Sequence, residues 1–167
     1  EGVDVLFAPE PDEMYPAGFG TWVDVDETGA EGTARPAHFR GVATVCLKLF
    51  NIVRPQRAYF GQKDAQQAIV VRRLVRDLDL DIRIRVIPTV RDPDGLALSS
   101  RNVLLSPAER EQALGLPRAL AKAAASADPV GAARSALNGL TPDYVELVDL
   151  DGARILAAAG RVGSIRL

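Results

Sequence analysis

The sequence predicts an α/β fold: a parallel sheet with covering helices, followed by a smaller α+β part. Three observations carry this reading. Strand-like runs rich in isoleucine and valine alternate with helix-like runs up to Val90, the signature of a parallel sheet. After Asn102 the order changes to helices and then strands. Between them lies a polar, glycine-containing stretch, Asp94-Gly-Leu-Ala-Leu-Ser-Ser-Arg-Asn102, expected to divide a domain at residues 1–93 from one at 94–167.

Taken in order, Val3-Asp-Val-Leu-Phe-Ala8 reads as a buried strand closed by Pro9 and Pro11. Thr21 to Val25 alternates as a short strand, and Gly29 to Pro36 reads as a loop. From Phe39 the apolar residues Val42, Ala43, Cys46, Leu49, Phe50 and Val53 recur at helical spacing, and Pro55 ends the run. Ala58-Tyr-Phe60 is a strand leading into Gly61. Asp64 then reads as an N-cap with Gln67 three residues on, an approximate capping box. Val70, Val71, Leu74, Val75 and Leu78 give the following helix its apolar face, and Asp81 to Val90 reads as a long strand. Ser106-Pro107 with Glu109 marks a helix start, with N-cap, N1 proline and N3 glutamate together. That helix is expected to reach about Ala125, and a second to run from Pro129 to Leu140. Tyr144 to Leu150, Arg154 to Ala159 and Val162 to Leu167 then read as antiparallel strands.

The chain has 167 residues, 47% hydrophobic and 25% charged, enough to bury a core without staples. A net charge of -2 without runs of like charge argues against a nucleic-acid or membrane surface. Cys46 is the one cysteine, which excludes an internal disulfide, fits a reducing cytoplasm and reads as a buried small hydrophobe. No signal-peptide pattern or long uncharged apolar run appears. The first residue is Glu1 and both ends read as strand, so the expectation is a fragment cut at both ends.

Two motifs could carry chemistry. In Phe60-Gly-Gln-Lys-Asp-Ala-Gln-Gln67, Gly61 lets backbone approach a ligand, a helix start offers free N–H groups, and Lys63 adds a positive charge for phosphate. Lysine stands out here, because Lys48, Lys63 and Lys122 are the only lysines and every other basic side chain is arginine. A plain strand-to-helix loop with a solvated lysine fits the same residues. Gln67 could simply reach back to the Asp64 backbone, and Gln66 reads as an exposed or packing residue. The second motif, Ser99-Ser100-Arg101, supplies two hydroxyls and a guanidinium suited to phosphate oxygens. A polar interdomain linker would also look like this. His38, the lone histidine, reads as structural or solvent-facing, although its imidazole could titrate near a ligand. No cluster has metal-ligand spacing.

Through these residues the chain resembles the pantothenate synthetase (pantoate–β-alanine ligase) family, almost end to end. Further landmarks are Phe7-Ala-Pro9 with Met14-Tyr-Pro16, Arg35-Pro-Ala-His-Phe39 with Gly41-Val42, and Lys48-Leu-Phe-Asn-Ile-Val53. Val90-Arg91, Leu105-Ser106 and Asp143-Tyr144-Val-Glu146 complete the set. The resemblance implies the C-terminal part of a Rossmann-like domain of the HIGH nucleotidyltransferase superfamily, then a smaller α+β domain. It implies a cytoplasmic, homodimeric ligase that uses ATP, with Mg2+, to join pantoate to β-alanine through pantoyl adenylate, releasing pyrophosphate and AMP. By motif, Gly61, Gln62, Lys63 and Asp64 would line the ATP site, with Lys63 on the phosphates. Gln67 would bind pantoate, and Val90 would meet the adenine region through its backbone. Leu98, Ser99, Ser100 and Arg101 would form a mobile loop similar to the KMSKS loop of class I aminoacyl-tRNA synthetases. Lys63, Ser99, Ser100 and Arg101 are the implied catalytic groups.

Three departures bear on this. Gln62 stands where many members have glutamate, and Ala37 replaces a usual glycine before the histidine. The HxGH-type motif of the family's first part is absent from these residues, so the chain alone is expected to be inactive. Two further readings stay open: another nucleotidyltransferase of the same superfamily, or a non-catalytic nucleotide-binding or dimerising remnant.

Overall fold

A computed structural model describes residues 2–26, 29–137, 139–150 and 152–167. Two short helices come first, α1 (Pro11–Met14) and α2 (Ala30–Ala34). The long α3 (His38–Val53) follows, and its apolar face meets α4 (Ala65–Asp77). Phe39, Ala43, Cys46 and Phe50 interlock there with Val70, Val71 and Leu74 in the first core. The helices cover a parallel pair, β1 (Arg57–Gly61) and β2 (Arg83–Ile87), in register from Arg57↔Arg83 to Gly61↔Ile87. Helix α4 is the crossover that parallel pairing requires. Cys46 is buried as expected, and burial pushes its thiol up to about 11, which keeps it protonated.

The second core surrounds a three-stranded antiparallel sheet in the order β3 (Thr141–Leu150), β4 (Ala153–Val162), β5 (Ile165–Arg166). Helices α5 (Pro107–Ala113), α6 (Gly115–Ala123) and α7 (Pro129–Ala136) belong to the same half. Leu96, Leu116, Ala119, Ala133, Val145 and Val162 are among its buried residues. The Ser106–Glu109 capping box forms as read from the sequence: each residue's side chain accepts the other's backbone N–H, at 3.3 and 2.9 Å.

Several expected elements differ. Residues 3–8 form no strand, and Val5 is 85% exposed, because neither β1 nor β2 pairs with them. Thr21 to Val25 also stays outside any ladder; the Thr44 hydroxyl takes the Val23 N–H at 3.0 Å instead. The expected loop at Gly29 to Pro36 contains α2, whose turn is closed by an Arg35–Glu31 ion pair. The strand expected to Val90 stops at Ile87, because Pro88 has no N–H to continue a ladder. The alanine-rich helix breaks at Leu114 into α5 and α6, and α7 ends at Ala136 rather than Leu140. No described helix is long and apolar enough to cross a membrane.

Candidate functional site

The carboxyl ends of β1 and β2, at Gly61 and Ile87, open onto a cleft of about 800 Å³ between the two halves. This is where open α/β sheets commonly place ligands. Gln62–Asp64 form one 3-10 turn that runs directly into α4. The helix start is therefore already wound, and the expected capping box is not formed: the Asp64 side chain makes no cap hydrogen bond. Its Oδ1 lies 3.9 Å from Lys63 Nζ, a loose contact that leaves the ammonium free to meet an anion. Gln67 lines the cleft from the first turn of α4. Gln66 packs inward and is only 4% exposed; its Oε1 accepts the Glu31 N–H at 3.0 Å. Its Nε2 has no hydrogen-bond partner among the described residues.

The opposite wall comes from a small hairpin. Leu98 N donates to Val90 O at 2.9 Å, Asp92 N to Leu96 O at 2.8 Å, and Arg91 bridges Ala97 antiparallel. The turn needs Gly95, whose φ is +95°. Arg110 of α5 grips this turn, with Nη2 on Asp92 at 2.7 Å and Nε on Asp94 at 2.8 Å. The chain then enters a 3-10 turn at Ser100–Leu104, where Ser99 Oγ accepts Arg101 N at 3.2 Å. The Ser99 hydroxyl hydrogen stays available to a ligand.

Of the residues singled out from sequence, Gln62, Lys63, Asp64, Gln67, Leu98, Ser99, Ser100 and Arg101 line this one cleft. Gly61 and Val90 do not; Val90 is 59% exposed and spends its carbonyl on the hairpin. His38, at the first turn of α3, lines the cleft as well. Burial, and then the neighbouring Arg35, hold its imidazole below the usual value, so it is neutral at pH 7 and can donate or accept a hydrogen bond.

Sequence reasoning missed an ion-pair network at the floor. Arg166 of β5 donates from Nη2 and Nη1 to the two Glu31 oxygens at 2.5 and 3.1 Å, and from Nε to Asp143 at 2.6 Å. Arg35 adds a bond to Glu31 at 3.1 Å. Burial raises the Glu31 carboxyl, but Arg166 and Arg35 together outweigh it and hold the group below its ordinary value. Burial, then Glu31 itself, push the Tyr144 phenol well up, so it stays a proton donor. The only local sign of this network was the spacing of Arg35 four residues after Glu31; Arg166 comes from the other half of the chain. Among the described residues no group of three or more His, Cys, Asp or Glu side chains could hold a metal ion.

The sequence model of the Pantoate-beta-alanine ligase family matches residues 1–167. A pantothenate synthetase of Roseiflexus castenholzii is 51% identical over 189 aligned positions, covering 100% of this chain and 68% of that protein. The crystal structure of pantothenate synthetase from Thermus thermophilus superposes with a TM-score of 0.87 at 45% identity, over 99% of this chain and 68% of that one. A Francisella tularensis pantoate-beta-alanine ligase, solved with beta-gamma ATP and beta-alanine, gives 0.74 at 33% identity, over 93% and 59%. Matched along its whole length by sequence and almost all of it by structure, the chain belongs to the pantoate–β-alanine ligase family.

Proposed function

We propose that the intact protein joins pantoate to β-alanine at the expense of ATP, and that this chain supplies one wall of that active site. The carrying observation is that Lys63, Gln67 and the Ser99–Arg101 loop line a single cleft. The pantoate carboxylate attacks the α-phosphorus of ATP, pyrophosphate leaves, and pantoyl adenylate forms. The amine of β-alanine then attacks the acyl carbon, AMP leaves, and the amide remains.

In this reading Gly61, Gln62, Lys63 and Asp64 form the nucleotide shelf, with the Lys63 ammonium on the phosphates. Gln67 hydrogen-bonds pantoate. Leu98, Ser99, Ser100 and Arg101 close over the nucleotide and neutralise the charge that develops as pyrophosphate departs. Val90 lies at the edge, where its backbone could meet adenine. Magnesium would accompany the ATP phosphates, since the described residues offer it no cage of their own. The same reading carries a cytoplasmic homodimer and a domain division between residues 93 and 94. His38 is the one histidine of the chain, which therefore holds no paired-histidine motif, and we expect little turnover from the 167 residues alone. Robust AMP release by this chain with pantoate, β-alanine and ATP would overturn that expectation.

In the intact protein, Lys63→Ala should lower adenylate formation by a hundredfold or more, about 3 kcal/mol of transition-state stabilisation, with an unchanged melting temperature. Equal loss of activity and stability would make Lys63 structural. Gln67→Ala should raise the KM for pantoate about tenfold and leave that for ATP alone. An unchanged pantoate KM would remove Gln67 from the substrate site.

A further inference from the structure

Behind the Ser99–Arg101 loop lies a second hollow of about 370 Å³. Four arginines line it, Arg35, Arg101, Arg161 and Arg166, together with the apolar Leu104 and Ile165. Two carboxylates face these cations: Glu31 takes Arg35 and Arg166, and Asp143 takes Arg161 and Arg166. Four positive charges against two negative ones leave an excess of two. Arg166 is committed to its carboxylates through all three nitrogens. Among the described residues, Arg161 donates from Nε, at 3.3 Å, and Arg35 from Nη1. Their remaining planar N–H groups suit an oxyanion with several oxygens, which arginine grips with two parallel bonds.

Arg101 lines both this hollow and the main cleft. We infer that the hollow is a second anion site, one that takes a condensed phosphate of the pyrophosphate class. Arg35 and Arg166 line both spaces as well, so the two communicate; Arg101, on the loop, is the side chain through which the leaving group of the proposed reaction can be handed from the cleft to the back. The inference rests on the proposed function only for the source of the anion; the site itself rests on the four guanidinium groups and their charge excess.

The test is a residue-resolved NMR titration of the 167-residue chain with inorganic pyrophosphate. The amides of Ser164 and Ile165 should move together on one binding curve, and Lys63→Ala should leave that curve in place. Arg161→Gln should move its midpoint tenfold or more to higher concentration, since a charge-assisted contact is lost, while the shifts at Gln62 and Lys63 stay as they were. Arg161→Lys, which keeps the charge and loses the fork, should fall between, and its dispersed spectrum checks that the fold persists. Silent Ser164 and Ile165 amides, or a midpoint indifferent to Arg161→Gln, would overturn the site. Sulfate matching pyrophosphate at equal concentration would overturn its preference for a condensed phosphate. The ligase reading is judged separately, by the effect of Lys63→Ala on adenylate formation.

Discussion

The two walls of the cleft hold their polar groups in opposite ways. Lys63 and Gln67 ride on a strand-to-helix junction whose helix buries Val70, Val71 and Leu74 in the first core. Leu98 to Arg101 hang from a hairpin gripped by one arginine, and the turn that follows leaves Val103 and Leu104 exposed. One wall is fixed by packing, which is stiff and spread over many contacts. The other is held at its base by those ion pairs and by a single buried side chain, Leu96, while the turn beyond it stays exposed. This suits the proposed reaction, in which a substrate would be laid on a shelf and a loop would close over the departing phosphates. The Glu31–Arg166 pair joins the two halves beneath both walls.

Breaking that link should have the largest effect. Arg166→Ala leaves Glu31, 8% exposed, with Arg35 as its remaining ionic partner, and strips Asp143 of its shorter bond. Removing one member of a buried pair typically costs about 3–5 kcal/mol. We expect a loss near the lower figure, read as a lower urea midpoint, because Arg35 and Arg161 remain. If the halves are coupled chiefly through this pair, proteolysis near residues 88–95 should quicken as well. A variant as stable as the parent would show that the halves are held together by packing alone.

The floor of the cleft, with His38 beside this link, should respond to acid in two stages. His38 is held below its ordinary value of 6.5, so the unfolded chain takes up that proton first and stability falls once the pH drops below 6.5. Glu31 is held below 4.5, so its share is present above that pH and is lost as the pH falls through the folded value. Urea midpoints measured against pH should show both stages in the parent. His38→Gln should remove the first and Arg166→Ala should shrink the second. A profile identical in all three proteins would place the acid response elsewhere.

The halves also differed in how far the sequence could be read. Three antiparallel strands linked by short turns complete their ladder locally, so alternation in Tyr144 to Leu150 and Arg154 to Ala159 found β3 and β4. The Ser106 capping box was visible for the same reason: its parts lie within four residues. Parallel pairing is non-local. Val3 to Ala8 has strand composition, yet composition names no partner, and neither β1 nor β2 takes it up although each keeps one free edge in their two-stranded sheet. In the site, the motif residues were legible because each sits in a short run of polar types. Glu31 and Arg166 were not, because their partnership depends on a fold that brings positions 135 apart into contact. Gln67 looked like a capping residue until the 3-10 turn at Gln62–Asp64 removed the need for a cap.

The smallest expected effect sharpens the contrast on the rigid side. Ala37 sits at the start of α3 with φ +63° and ψ 0°, in the left-handed region. There the alanine Cβ crowds the following carbonyl, a cost of about 1–2 kcal/mol per residue. Glycine avoids that cost, but it adds about 0.4–1 kcal/mol of backbone freedom to the unfolded chain. The balance favours Ala37→Gly by roughly 0.5 kcal/mol, or about 1–2 °C in melting temperature for a chain of this size. The position matters because His38, the next residue, faces the cleft and donates its backbone N–H to Arg35 O at 3.1 Å. If strain at Ala37 helps to fix His38 against the shelf, the glycine variant should be slightly more stable while its amide exchange at His38 quickens. Greater stability with unchanged exchange would mean that the packed wall keeps its geometry without the strain. A lower melting temperature would mean that the left-handed backbone at Ala37 costs the fold less than the freedom glycine adds.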